Sequence, residues 1–551
     1  MSPRLILFGL DGATFDLVRP WAGAGYLPTL RDLMRRGACG DLESTLPPLT
    51  AAAWPAFMTG KNPGKHGVFD FFQPPLGAGA AELQFATSQQ VDGRWWAEDL
   101  SAAGLSVALL NVPMTHPPRS INGCVIPGTP TPDEGHTTLP RDLLGAYERE
   151  FGAHRVTPRV VYEPGREVEF CAALHELIDL QTRYALRLLI DRPADVFMLH
   201  FLATDSAQHA LWKHHDAAHP QHRADLAARF GPALREVFAH ADRSIAAVLS
   251  QASPDTNVIV MSDHGFGPLH RMVNVNNFLI ERGLLALKRD RSVALRAWLF
   301  RRDVDPALPW KIMRRLQIEA RLGRVSRAAR AWSQRKWLTF ADVDWPRTVA
   351  FACGHIGQVY INVKGRQPNG CVEPGDYLAV RERVTAALKA WRDPIDGRPM
   401  VDEIIPREAA AHGPHLNDGP DLHLIMDGYR TLAYPLFAAD GRVFAQRVHG
   451  DSGSHRRNGL LIAAGPDIAC GAIEGARLID LAPTILQLLN VPIPIDYDGV
   501  VLTGLLTGPS AERAIEYRSD LAPTPTPADA PLTREHNAVI AERLRGLGYL
   551  G

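Results

Sequence analysis

Three aspartates, three histidines and one threonine form a set that could do chemistry together: Asp11, Thr50, Asp205, His209, Asp263, His264 and His455. Carboxylate oxygen and imidazole nitrogen are ligands that zinc and similar divalent ions accept. Six such groups suffice for two metal pockets. Two ions about 4 Å apart suit phosphoryl transfer, one activating the attacking oxygen and the other steadying the leaving oxygen. The reaction otherwise needs charge neutralisation, alignment and a nucleophile. The Thr50 hydroxyl is the candidate for that last role.

Asp205 and His209 are four residues apart, so a helix beginning after a strand would put both on one face. Asp263 and His264 are adjacent and precede Gly265-Phe266-Gly267-Pro268, where a backbone turn can make them converge. Either pair alone is more often structural. Thr50 precedes the run Ala51-Ala-Ala-Trp-Pro-Ala-Phe-Met-Thr59, and a threonine there usually serves as an N-cap. The same position faces the helix dipole and free amides that favour anions. Metal coordination would lower its pKa and make it a nucleophile. Both uses stay open, and Pro55 leaves the start of the helix unfixed.

The elements around these residues alternate. LILFGL (5–10) is a buried strand ending at Asp11-Gly12. PTLRDLMRRG (28–37) reads as a helix, with proline at its start and glycine after its end. SVALLNV (106–112), DVFMLHFL (195–202), NVIVM (257–261) and GLLIAA (459–464) read as strands. Helical patterns cover about 168–191, about 222–250 and 479–489. The expected fold class is α/β, a mostly parallel sheet sandwiched between helices. Sites in such sheets form at the carboxyl ends of strands, where Asp11, Asp205 and Asp263 fall.

With 551 residues the chain can bury a large core and hold more than one unit. Net charge is −1, which excludes nucleic-acid binding by bulk charge. Six scattered cysteines with no C-x-x-C pair suit a reduced compartment. No signal-peptide pattern opens the chain and no apolar run approaches a membrane span, so a cytoplasmic location is expected.

Two segments interrupt the alternation. Between Lys288 and Lys336, fifteen Lys/Arg face four Asp/Glu, with Trp298, Trp310 and Trp332 interleaved. This reads as an inserted helical cap over 281–345. It could be a salt-bridged surface, a lid for an anionic substrate, or a contact with a membrane surface. Ser519–Thr533 is rich in proline and threonine and reads as a linker. The expected domains are a discontinuous core (1–280 and 346–515), the cap, and a linker with a C-terminal helix (516–551).

Assembled, these motifs resemble the alkaline phosphatase superfamily, and within it the type I phosphodiesterase/nucleotide pyrophosphatase family. LFGLDGATFD, PPLTAAAWPAFMTGKNPGKHG, ATDSAQH, MSDHGFGP and GSHRRNGLLIAAGPDI carry the resemblance. The resemblance implies one ion held by Asp205, His209 and His455. It implies a second held by Asp11, Asp263 and His264, with Thr50 bridging as nucleophile. Zinc is the expected ion, and manganese is the alternative the same ligands accept. The family usually places an asparagine 21 residues after the nucleophile as a phosphate donor; here that residue is Phe71. Lys61 or Asn62 is the candidate replacement. The sulfatase nucleophile motif C/S-x-P-x-R is not matched.

The expected activity is a metal-dependent phosphoric ester hydrolase of phosphodiesterase type, acting on a small-molecule phosphate ester. The alternatives are a phosphomonoesterase or mutase-like phosphotransferase, and a non-catalytic phosphate-ligand binding protein on the same fold. Gly60-Lys-Asn-Pro-Gly-Lys65 is too short for a nucleotide phosphate loop. His214, His215, His219 and His222 cluster after His209 and read as a solvated helix end rather than a metal site. His270 and His355 are further candidates to approach the site.

Overall fold

The computed structural model describes residues 2–72, 85–131, 137–304, 338–437, 440–445, 450–519 and 534–546. Its main sheet is built from β1 (Leu5–Leu10), β2 (Ala38–Glu43), β3 (Val107–Leu110), β4 (Gly123–Ile126), β5 (Val196–Phe201) and β6 (Asn257–Met261). A short strand β7 (Gly265–Pro268) pairs antiparallel with the distant β8 (Gly453–Arg456), which leads into β9 (Asn458–Ala464) of the main sheet. The spatial order of the main sheet is β2-β9-β6-β1-β5-β3-β4, with Gly471–Ala472 and Ala476–Arg477 paired outside β2.

β1, β3, β4, β5 and β6 run parallel, and β9 is antiparallel to both β6 and β2. This is the mostly parallel α/β sandwich the sequence leads one to expect. Every residue of β1, β5 and β6 is buried, as a sheet covered on both faces requires. Leu5 and Leu7 join one apolar core, while Ile6, Phe8 and Leu10 join the other. This follows from the two-residue period of a strand.

One face is covered by α1 (Thr50–Thr59) and by the late helix Leu481–Leu488. The other is covered by α2 (Glu167–Asp191), α3 (Ala203–His215) and α4 (Ala233–Leu249). The helical pattern over 222–250 is not continuous. Ala224–Phe230 is a separate helix that ends at Gly231, and Pro232 precedes α4. Proline has no amide hydrogen to continue the first helix, so it restarts the chain in a new one.

Residues between β7 and β8 build a second, smaller framework. Ala350–Ala352, Gln358–Ile361, Glu403–Pro406 and Leu422–Ile425 form a four-stranded antiparallel sheet. The basic segment is represented by the helix Arg291–Arg301, where Trp298 is half exposed. Residues 305–337, with Trp310 and Trp332, lie outside the described residues, as does the linker 520–533. Beyond that linker, Ile540 and Leu544 of helix Arg534–Gly546 are fully buried. No helix of the described residues is long and apolar enough to cross a membrane.

Candidate active site

β6, β1 and β5 are neighbours in parallel register, so their carboxyl ends lie side by side. Asp11 follows β1, Asp263 follows β6, and Asp205 sits in the first turn of α3 after β5. His209 is one turn further along α3, on the same face as Asp205. β9 runs the other way, which returns β8 and His455 to the same edge opposite Phe266. Side-chain bonds lock the loops: Thr204 Oγ1 donates to Asp11 O (2.8 Å), Gln208 Nε2 to Gly12 O (2.9 Å) and Ser262 Oγ to Ala13 O (2.7 Å).

The seven residues converge. His209 Nε2 and His455 Nε2 lie 3.4 and 3.5 Å from Asp205 Oδ1. His264 Nε2 lies 3.5 Å from Asp11 Oδ1, 3.4 Å from Asp263 Oδ2 and 3.1 Å from Thr50 Oγ1. Two groups have ligand geometry for a cation among the described residues: Asp205, His209 and His455, and Asp11, Asp205 and His264. The second group brings in Asp205 where the family pattern has Asp263, since all three carboxylates crowd one edge.

Thr50 is the first residue of α1 and is fully buried. Leu49, not Thr50, is the N-cap. The Thr50 side chain is therefore not spent on capping but turned toward His264. Pro55 sits inside the helix without ending it, and Gly60 closes the helix in the left-handed region (φ 65°). A Cβ at Gly60 would meet the Tyr497 ring at 2.5 Å, so the close approach also selects glycine.

The donor set fits cations. Each imidazole donates Nδ1–H to a backbone carbonyl: His209 to Gly453 O (3.0 Å), His455 to Pro48 O (3.0 Å) and His264 to Gly265 O (3.1 Å). This fixes the tautomer and turns the Nε2 lone pairs inward, as in histidine ligation of metals. His209 Nε2 and His455 Nε2 then face each other at 3.2 Å, two acceptors with a proton or cation required between them. Asp11 Oδ1, both oxygens of Asp205 and Asp263 Oδ2 are buried without a hydrogen-bond donor. Buried carboxylate oxygens are rarely left so, and a bound ion is a standard reason.

Proton affinities across the cluster are strongly perturbed by burial and by neighbouring charge. Burial lifts Asp263 to about 7, with Asp11 adding to the effect. Burial, then Asp205, hold Asp11 well above the carboxylate range. Burial opposes ionisation of Asp205, but His209 and His455 draw it well below the usual range. Burial would depress His209, yet Asp205 carries it up to about 9. Burial and then His264 push His455 down to about 3.

The remaining candidates are placed elsewhere. Lys61 Nζ pairs with Asp496, and Asn62 Nδ2 donates to Asp498 Oδ2 (2.7 Å). Phe71 is fully buried in the apolar core. His219 Nε2 donates to Leu269 O (3.0 Å) and His222 Nδ1 to Lys213 O (3.0 Å), so the histidine cluster does not converge. His355 Nδ1 donates to Asp70 Oδ1 (2.9 Å), and the His270 ring meets His219 edge-on. Sequence reasoning missed His200 in β5, whose Nε2 shares a hydrogen bond with Asp11 Oδ2 (2.8 Å).

The mostly parallel sheet covered by helices on both faces is an alkaline-phosphatase-like fold. The chain belongs to the type I phosphodiesterase / nucleotide pyrophosphatase family, whose pattern matches residues 5–450. It is accordingly a phosphoric ester hydrolase, of a family typically dependent on divalent metals. Among solved structures it is similar to phosphonoacetate hydrolase from Sinorhizobium meliloti 1021 in complex with phosphonoacetate. Identity is 14%, with 87% of this chain and 95% of that chain covered and a TM-score of 0.50. The same enzyme with phosphonoformate gives 15% identity, the same coverage and a TM-score of 0.48. No curated protein matches the chain.

Proposed function

We propose that the protein is a metal-dependent phosphodiesterase that uses Thr50 as its nucleophile. The observation that carries this reading is the Thr50 hydroxyl, buried at a helix N-terminus 3.1 Å from His264 Nε2 and beside donor-less carboxylate oxygens. Asp205, His209 and His455 would hold one divalent ion, and Asp11, Asp263 and His264 the other. Zinc is the first choice, with manganese accepted by the same set. The ions supply charge neutralisation and a lowered pKa at the hydroxyl.

The chain's own part is positional. α1 presents Thr50 Oγ1, and its dipole favours an anion there. Thr50 Oγ1 attacks phosphorus; the Oγ1–P bond forms as the ester P–O bond breaks, and the alcohol leaves. Water then cleaves the phosphothreonine and restores the hydroxyl.

Charge favours a diester. While Thr50 keeps its proton, three carboxylates against two divalent cations leave a net charge of about +1, which one anionic charge balances. A monoester dianion would need a further cation. Lys61 and Lys65, the nearest lysines after Thr50, are held by Asp496 and Asp498, and Phe71 offers no donor. In this reading Lys61 and Asn62 are outer groups that would have to leave their carboxylates to reach phosphate.

The test is a panel of bis-aryl diesters, aryl phosphonates, nucleotides and monoesters, each with zinc and with manganese. Diester kcat/KM should lead. A protein that binds two ions yet turns over none of these esters would instead be a binding protein on this fold, and monoester preference would refute the charge argument.

A further inference from the structure

We infer that His200 is a positioning residue for Asp11, taking one carboxylate oxygen so that only the other faces the ion pocket. The inference rests on the two-ion reading above. His200 lies in β5, directly beside Gly9 of β1 in parallel register. Gly9 and Asp11 are two residues apart in the chain, and His200 Nε2 reaches Asp11 Oδ2 at 2.8 Å. Asp11 Oδ1, by contrast, has no donor and lies 3.5 Å from His264 Nε2.

The surroundings are shaped for this contact. His200 is almost completely buried, and the Trp54 ring stands edge-on to it at 4.9 Å. A Cβ on Gly9 would lie 2.7 Å from Trp54 Cη2 and 3.0 Å from His200 Cδ2. Any larger residue at position 9 would push both rings out of place. Trp54 belongs to the same helix as Thr50, so one packed group links the ligand, its donor and the nucleophile's helix.

The three carboxylates differ in how they are held. Asp263 receives a backbone amide, from Gly12 (3.3 Å), on one oxygen. Asp205 has no donor on either oxygen. Asp11 receives a side chain, which substitution can remove. Donors behind a metal ligand fix its orientation, and losing one typically costs about 10–100-fold in metal affinity. The effect should fall on the ion that Asp11 holds and spare the ion of Asp205, His209 and His455.

The experiment titrates Zn2+, and separately Mn2+, into chelator-stripped full-length protein by calorimetry, with melting temperatures alongside. His200→Leu fills the space without a donor, and His200→Gln restores one. His200→Met is a second apolar filler, so a single misfolding variant leaves the comparison intact. In Leu and Met variants one ion should bind about 10–100-fold more weakly while the other changes little. Gln should recover most of the loss. Equal constants for Leu, Gln and parent overturn the inference, as does equal weakening of both ions together with a lowered melting temperature. A parent protein that takes up no ion overturns the two-ion reading, and the role of His200 with it.

Discussion

Thr50 is the site residue whose loss separates chemistry from ion binding, because its neighbours supply six ligand side chains without it. Thr50→Ala should lower aryl-diester turnover by about 10³-fold or more, while elemental analysis still finds two ions per chain. Retained turnover would remove Thr50 from the mechanism. A second prediction concerns proton linkage in the stripped protein. His209 is raised to about 9 and Asp11 is raised above its unfolded value. A raised group stabilises the fold below its unfolded pKa and loses that contribution as pH climbs through the folded one. Burial holds His200 at about 4 and His455 at about 3, so neither adds slope between pH 7 and 8.5. The stripped protein should therefore melt at progressively lower temperature over that window, and zinc loading should flatten the trend. Parallel curves for stripped and loaded protein would contradict this. That Asp11, Asp205 and Asp263 come to one edge was legible in the sequence because carboxyl ends of parallel strands lie side by side, whereas Thr50 and His455 were joined to them through the resemblance to the family. His200 was not legible: a lone histidine in the apolar run VFMLHFL reveals its partner only once the β1–β5 register puts it next to Asp11.

At the scale of elements, the long-range β7–β8 pairing decides whether His455 reaches Asp205. Gly453 lies at its tightest point, and its carbonyl accepts from His209 Nδ1. A Cβ there would meet Gln208 O at 2.4 Å and the Phe266 ring at 2.8 Å. Backbone cannot yield as a flexible side chain does, so Gly453→Ala should force β8 away from α3. The expected cost is about 1–3 kcal/mol, read by chemical denaturation, together with weaker binding of the ion shared by His209 and His455. Unchanged stability and unchanged ion content would show that the pairing has slack. The i, i+4 spacing of Asp205 and His209 gave their shared helix face directly, since a helix period needs no tertiary information. The break at Gly231–Pro232 could also have been read from those two residues, and the apolar periodicity on either side obscured it. The small antiparallel sheet was harder: its strands are three or four residues long, too short for alternation to rise above chance.

The whole molecule places the basic segment on a closed detour. Leu287 pairs with Val343, Lys288 N donates to Asp342 O (2.9 Å), Asp344 N donates to Ala286 O (2.9 Å), and Arg296 is paired with Asp342. The chain thus leaves the framework and returns to it at one place. Phe300 and Leu338, which flank residues 305–337, are buried against the main core and anchor the two ends. The intervening residues carry nine Lys/Arg against two Asp/Glu, while the protein as a whole has a net charge of −1. Concentrating positive charge on one segment of an otherwise balanced protein raises the local concentration of anions there, an effect screened by salt. We propose that this segment selects substrate rather than supporting the fold. Replacing residues 305–337 with a short Gly/Ser linker should leave ion content and hydrolysis of a small bis-aryl diester near parental values, because the described residues on either side are already paired through Leu287–Val343 and the entropy of closing a segment varies slowly with its length. Turnover of substrates bearing several negative charges should fall relative to that small diester, and the difference between parent and variant should shrink as ionic strength rises. The same ratio in both proteins at low salt would assign the segment a role outside substrate choice, and loss of bound ions in the variant would make it part of the core.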